Sequence, residues 1–222
     1  VNIETVNLDD LTEKLTLGGF EVEEILEVEI GNQKQITLDI SATANRSDSL
    51  SIQGISREIA ALLNKPINTS TYLIQSENLK QTIFKNARIL PPNQDCIILL
   101  SVIVENLTDL TVPKWVTQKL ISSGIIPLNN LLDFKNYILL ETGYPFAFYD
   151  LDKIKSKLNN SKFNLSISEA KNNQKFIDTN GNEYNLDDSI LLIKADEVPL
   201  SIAGIIENQE FSYSESTTSL II

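Results

Sequence analysis

Leu8, Leu11 and Leu15 recur at three- and four-residue spacing and stop at Gly18-Gly19, which predicts a short helix capped by Asp9 or Asp10. Beyond it, Phe20 and Val22, then the run 25–30, carry β-branched and acidic residues in partial alternation. A second run, 36–40, follows across Gly31-Asn32, a pair suited to a tight turn, so 20–40 reads as a β-hairpin. A second helix is expected from about 49 to 64, with Leu50, Gly54, Ile55, Ile59, Leu62 and Leu63 on the side that packs against the hairpin and Pro66 closing it. The polar stretch 68–78 then reads as a linker, with a domain boundary near 75.

The second part has another rhythm. Residues 96–106 are apolar on both faces and predict a central strand. Pro113, placed at a first helical position, opens a helix through Trp115, Val116, Leu120 and Ile121 that stops at Gly124. The run 130–142 is apolar all round, which predicts a buried helix ended by Gly143 and Pro145. From Lys162 onward the pattern is one of strands: 163–167, 174–177, a turn at Asn180-Gly181, 184–186, 190–193, 200–206 and 219–222. The fold class is therefore α+β: a small mixed helix and hairpin domain over 1–75, then a larger α+β domain over 76–222 with a β-rich second half.

Composition narrows the chemistry. With 42% hydrophobic and 22% charged residues the 222-residue chain is ordinary for a globular protein, and no apolar run approaches the roughly 20 residues that span a bilayer, so no membrane association is expected. There is no histidine and one cysteine, which excludes within this chain a Ser-His-Asp or Cys-His pair, a histidine base, an internal disulfide and a zinc site of histidines or cysteines. The chain begins at Val1 without a charged-then-apolar leader, so it reads as a fragment or processed piece without an intact secretory signal. A net charge of -12 opposes a broad nucleic-acid footprint, because phosphate binding needs clustered Lys and Arg. Richness in Ile, Asn, Lys and Ser suggests an AT-rich genome.

Four stretches carry a family resemblance. The first is Leu15-Thr-Leu-Gly-Gly-Phe-Glu-Val-Glu-Glu24. The second, and most specific, is Asp39-Ile-Ser-Ala-Thr-Ala-Asn-Arg-Ser-Asp-Ser-Leu-Ser51, continuing to Gly54-Ile-Ser-Arg-Glu-Ile-Ala-Ala-Leu62. The third is Ser123-Gly-Ile-Ile-Pro-Leu-Asn-Asn-Leu-Leu-Asp-Phe-Lys-Asn-Tyr137 with Glu141, Gly143, Pro145 and Asp150-Leu-Asp152. The last joins Asp178-Thr-Asn-Gly-Asn-Glu183, Ser201-Ile-Ala-Gly-Ile205 and Thr217-Thr218. In this order they resemble the N-terminal part of the beta subunit of bacterial-type phenylalanyl-tRNA synthetases. Ala44 and Ser49 stand where that family usually has proline and cysteine. Only 25–38 separates the first two motifs, where the family carries an OB-fold insert, so the resemblance is to plastid-like versions that lack it.

The resemblance implies B1-like and B3/B4-like domains in a non-catalytic subunit. No cofactor is implied for this chain; the complete enzyme uses ATP and Mg2+. Implied partners are the alpha subunit, in an alpha2beta2 heterotetramer, and tRNA(Phe) through the complete enzyme. The implied location is the plastid (chloroplast) stroma, with the bacterial cytoplasm as the alternative.

In the family, the second domain holds a pocket that hydrolyses mischarged Tyr-tRNA, a correction needed where binding alone discriminates poorly. Here Asn136 stands at a family asparagine, but Ala147 replaces the family histidine. After Gly204, Glu207 and Asn208 replace two glycines and Gln209 the glutamate, with Glu210 one position away and Ile126 where an arginine precedes proline. A methyl group neither positions water nor accepts a proton, and side chains at glycine positions obstruct a ligand, so no catalytic residue and a degenerate pocket are expected. Two alternatives stand beside this: an active Tyr-tRNA hydrolase working through Glu210 and Asn136, and a free-standing aminoacyl- or RNA-binding module.

Other polar residues have structural readings. Asn45, Arg46, Asp48, Arg57 and Glu58 form a motif in which Arg46 satisfies backbone groups and the Glu58 carboxylate. Asn129, Asn130 and Asp133 read as caps, Trp115 as a core or interface anchor, and Lys153, Lys155 and Lys157 as a solvated helix face.

Overall fold

The structure is a computed structural model that describes residues 6–67, 96, 99–107 and 111–222, with the backbone of 87–89. The described residues form two compact units, one drawn from 1–72 and 110–145 and the other from 73–109 and 146–222. The expected linker at 68–78, and with it the boundary near 75, lies outside the described residues.

In the first unit, α1 (Leu8–Leu17) is capped by Asn7, whose side chain accepts from the amides of Asp9 at 2.8 Å and Asp10 at 3.3 Å. This corrects the expected cap: Asp9 and Asp10 occupy the first turn, where their charges complement the exposed amides of the helix start. The strands β1 (Phe20–Ile30) and β2 (Gln33–Ala42) pair antiparallel across Gly31-Asn32, both at positive φ, as expected of the hairpin. A 3-10 turn (Ser47–Ser49) precedes α2 (Ile52–Leu62), whose cap is Ser51. The second helix thus begins later than its apolar periodicity suggests, and Leu50 is exposed, not core. Leu11 and Leu15, Phe20 and Ile59 bury together, joined by Val22, Leu38, Ile40, Ile55 and Leu62, so the two helices do share a core with the hairpin.

The same unit takes in α3 (Lys114–Ser122) and α4 (Leu132–Thr142). Pro113 is the residue before the first turn, one position earlier than expected. Val116 and Leu120 are fully buried, whereas Trp115 is half exposed and meets Tyr137 edge-on at 5.0 Å. The apolar run of α4 does not make it a buried helix: it packs on α2 and α3, and its far side leaves Ile138 and Leu139 in solvent. Gly143 ends it at φ 77, a conformation that glycine adopts without strain.

The second unit contains β3 (Ala87–Ile89), β4 (Ile103–Val104), β5 (Tyr149–Asp150), α5 (Leu151–Leu158), β6 (Phe163–Glu169), β7 (Gln174–Ile177), β8 (Glu183–Leu186), β9 (Leu191–Ala195), β10 (Val198–Ile202), β11 (Ile206–Glu207) and β12 (Leu220–Ile221). One sheet runs β11-β10-β9-β6-β3, antiparallel except for the β3–β6 pair; a second runs β4-β12-β5; β7 and β8 form a hairpin. Of the expected central strand over 96–106, residues 97–98 lie outside the described residues, and of the rest Ile103–Val104 form β4 at a sheet edge. Its apolar residues divide, Ile103 entering the core while Leu100 and Val102 face solvent. The run 200–206 likewise breaks into β10 and β11 around Gly204 at φ 71. Leu151, Ile154, Phe163, Leu165, Leu200, Phe211 and Ile221 form the main core, and Phe176, Leu186 and Leu192 a smaller one beneath the β7–β8 hairpin. Helices and mostly antiparallel sheets make the chain α+β.

Candidate functional site

The motif at 45–58 converges on one guanidinium. Arg46 reaches Asp48 with two nitrogens at 3.1 Å and Glu58 at 2.7 Å, and lies 5.1 Å over the Phe20 ring. Such a fork matches a planar cation to two carboxylates and one aromatic face. The hydrogen bond from Arg46 holds the Asp48 carboxyl below its ordinary value, and those of Asp48 and then Glu58 push the guanidinium further up. The Glu58 side chain is 29% exposed, so most of it is buried. Asn45 accepts from the Thr43 hydroxyl at 2.6 Å and Arg57 is exposed on α2. The cluster staples the loop before α2 to β1.

A buried polar network spans the second unit. Asp150 caps α5 by accepting from the amides of Asp152 and Lys153 at 3.0 Å, and its other oxygen accepts from the buried Thr217 hydroxyl at 2.7 Å. Lys153 donates to the Ser212 carbonyl and the Ser214 hydroxyl, and Thr218 donates to Asp152. Nearby, the Tyr149 and Ser201 hydroxyls meet at 2.6 Å in the interior; burial pushes the Tyr149 phenol up. In the sequence Ser201 stands out only as part of a family-like stretch, and nothing there marks Tyr149 as its partner. Asp150 ahead of a helical pattern was a usable cap signal, whereas Tyr149 and Ser201 stand 52 positions apart and nothing local links them.

The residues of the expected pocket are divided between the two units. Asn136 lies on α4, in the first unit. Ala147 packs its methyl against the main core, and Gly204 sits at the exposed turn between β10 and β11 with open space where a Cβ would stand. Glu207, on β11, is paired across the ladder with Ser201. Asn208, Gln209 and Glu210 are brought together with Pro199 and Ile177 along an open groove of about 550 Å³. There Asn208 donates to the Pro199 carbonyl and accepts from the Glu210 amide. The Glu210 carboxylate is held by Lys157 at 2.8 Å, and that ion pair also borders a polar cleft of about 640 Å³ lined by Asp152, Lys153, Ser156 and Thr218. Among the described residues no three carboxylates or cysteines gather in a way that could hold a metal ion, and no helix is long and apolar enough to cross a membrane.

Residues 95–222 match the family model of the B3/4 domain. The chain is 59% identical over 222 residues to the chloroplastic phenylalanine-tRNA ligase beta subunit of Phaeodactylum tricornutum, covering 100% of this chain and 31% of the relative. It is 34% identical over 223 residues to the chloroplastic beta subunit of Porphyra purpurea, covering 99% of this chain and 30% of the relative. It is also 34% identical over 188 residues to the beta subunit of Prochlorococcus marinus subsp. pastoris, covering 83% and 22% respectively. The chain thus spans less than a third of the length of these curated relatives.

Proposed function

We propose that this chain, which belongs to the B3/4 domain family, is the N-terminal portion of the non-catalytic beta subunit of a plastid phenylalanine-tRNA ligase. Its role is structural and assembly-related, and it has lost Tyr-tRNA hydrolysis. Residues 1–75 then correspond to the B1-like segment and 76–222 to the B3/B4-like segment, with 110–145 completing the first compact unit. The adenylate and transfer chemistry, with its ATP and Mg2+, lies in the alpha subunit, the partner in an alpha2beta2 heterotetramer, and tRNA(Phe) is engaged by the complete enzyme. The plastid stroma is the expected location, with the bacterial cytoplasm as the alternative.

The observation that carries the loss of editing is the state of the two groups on which hydrolysis would depend. Position 147 offers a core-packed methyl, and the carboxylate nearest the lost glutamate position, Glu210, is tied to Lys157. No histidine exists elsewhere in the chain to substitute.

The test is deacylation of Tyr-tRNA(Phe) and Phe-tRNA(Phe) by the complete alpha-beta enzyme carrying this segment, beside an Ala147→His, Gln209→Glu variant. We expect Tyr-tRNA to decay at its spontaneous rate while Phe-tRNA forms normally. Selective hydrolysis of Tyr-tRNA by the unmodified enzyme would overturn the reading and put Glu210 forward as the base.

A further inference from the structure

Among the described residues, the first unit leaves an apolar strip exposed on the acid-rich segment 6–42. Thr12, Glu13, Thr16 and Leu17 of α1 face Val22 and Ile25 of β1 across an open groove of about 410 Å³. Leu17 is 80% exposed and Ile25 48%. Ile36, 61% exposed, continues the strip, because Ile25 pairs with Leu38 and Glu27 with Ile36, which puts all four on one face of the ribbon. A register shift between Val22 and Glu24 is what turns Ile25 to the same side as Val22. Without that bulge, strand alternation would send Ile25 to the opposite face. Scattered exposed aliphatics are ordinary on a protein surface, but a continuous strip in a groove is a feature of interaction sites.

The surrounding charge selects the occupant. Residues 6–42 carry nine carboxylates against two lysines, and both lysines are already paired, Lys14 with Asp10 at 3.0 Å and Lys34 with Glu27 at 2.6 Å. A second copy would bring the same excess of carboxylates against this one, and nucleic acid or an anionic lipid surface would be repelled. What fits is a polypeptide with one apolar and one cationic face.

We propose that the groove between α1 and β1 docks a basic amphipathic helix of a protein partner, its aliphatic face on Leu17, Val22, Ile25 and Ile36 and its lysines or arginines against the rim around Glu13. Apolar contact supplies the burial, while the rim steers association and rejects acidic competitors. The groove is lined by residues of the first unit alone, and the proposal does not rest on any hydrolytic activity.

The experiment is an amide chemical-shift titration of the isotopically labelled 222-residue chain with three 18-residue peptides. One places leucine and lysine at helical spacing, one replaces its lysines by glutamate, and one has the leucine and lysine order scrambled so that no apolar face forms. The first peptide is expected to shift the amides of Leu17, Val22, Ile25 and Ile36, and the other two to leave them in place. A Leu17→Ser, Ile25→Thr variant should bind the first peptide at least tenfold more weakly while melting at nearly the same temperature, since both side chains are substantially exposed. Glu13→Lys, on the solvent side of α1, should weaken it about threefold at low salt and less at high salt. Equal binding of the glutamate or scrambled peptide, shifts confined to other residues, or concentration-dependent shifts of these amides without peptide would each overturn the proposal.

Discussion

Asp178 is 1% exposed and accepts four hydrogen bonds: from the amides of Asn180 and Asn182 at 2.8 and 2.9 Å, the Asn182 side chain at 3.0 Å and the Tyr184 hydroxyl at 3.0 Å. Burial pushes its carboxyl up, but those four donors outweigh it, led by Asn182, and hold it below the ordinary carboxylate value. A group whose folded pKa is depressed contributes stability that is whole above its unfolded value, about pH 4, and is lost as pH falls through the folded pKa. Denaturant midpoints measured from pH 6 to pH 2 should therefore fall on acidification. An Asp178→Asn variant should start lower at pH 6 and show a smaller decline, and an unchanged slope in the variant would show that other carboxylates carry the effect. The local string Asp178-Thr-Asn-Gly-Asn182 announces the turn, since Asn180-Gly181 suits positive φ and Gly181 adopts φ 82. That its first residue would be buried was not legible, because burial comes from the β7–β8 hairpin and from the bridge to Asn208, thirty positions on.

At the scale of elements, Gly54 shows how a local preference loses to packing. It lies inside α2, where alanine in place of glycine would ordinarily gain about 0.5–1 kcal/mol. Yet a Cβ there would collide with the Asp48 carbonyl oxygen and stand 2.9 Å from the Ser49 Cα, both backbone atoms of the 3-10 turn. Gly54→Ala should therefore destabilise the chain by about 1–3 kcal/mol in chemical denaturation, the range for overpacking a close contact. A stabilised variant would mean that the turn yields freely. The same contest explains which elements the sequence foretold. The β1–β2 hairpin and α1 follow from alternation, turn residues and a glycine stop, all local signals. The strand expected over 96–106 and the burial of α4 depend on what covers each face, and Leu100, Val102, Ile138 and Leu139 are apolar residues left exposed among the described residues. Periodicity reports which residues could be buried and is silent on whether a partner layer arrives. For the candidate site, that Asn208, Gln209 and Glu210 adjoin follows from their sequence proximity, whereas the buried meeting of Tyr149 with Ser201, 52 positions apart, has no local signal.

Across the whole molecule, the two units are interleaved along the chain. The hairpin relies on a helix that follows it by some eighty residues: Thr37 donates to the Ser122 carbonyl at 2.9 Å, and α3 packs on β1, where Ile30 is 7% exposed. A two-stranded hairpin by itself is marginal in water. Residues 1–75 made alone should consequently show hairpin amides exchanging with solvent far faster than in the intact chain, at least tenfold at positions 26–36. Hydrogen exchange read by NMR or mass spectrometry measures this directly, and full protection in the fragment would mean that α1 and α2 suffice.

The interleaving also sets an order of events during synthesis. A ribosome releases the chain from its start, so the hairpin emerges well before residues 114–122, and part of the segment between, 73–109, belongs to the other unit. The second unit waits too, since β12 is the middle strand between β4 and β5 and is the last of the three to appear. At the usual pace of translation, roughly 5–20 residues per second, the half-built hairpin spends several seconds without its covering helix. Its run of glutamates gives those nascent strands a like charge, and mutual repulsion between neighbouring chains on a polysome then opposes edge-to-edge aggregation until the cover arrives.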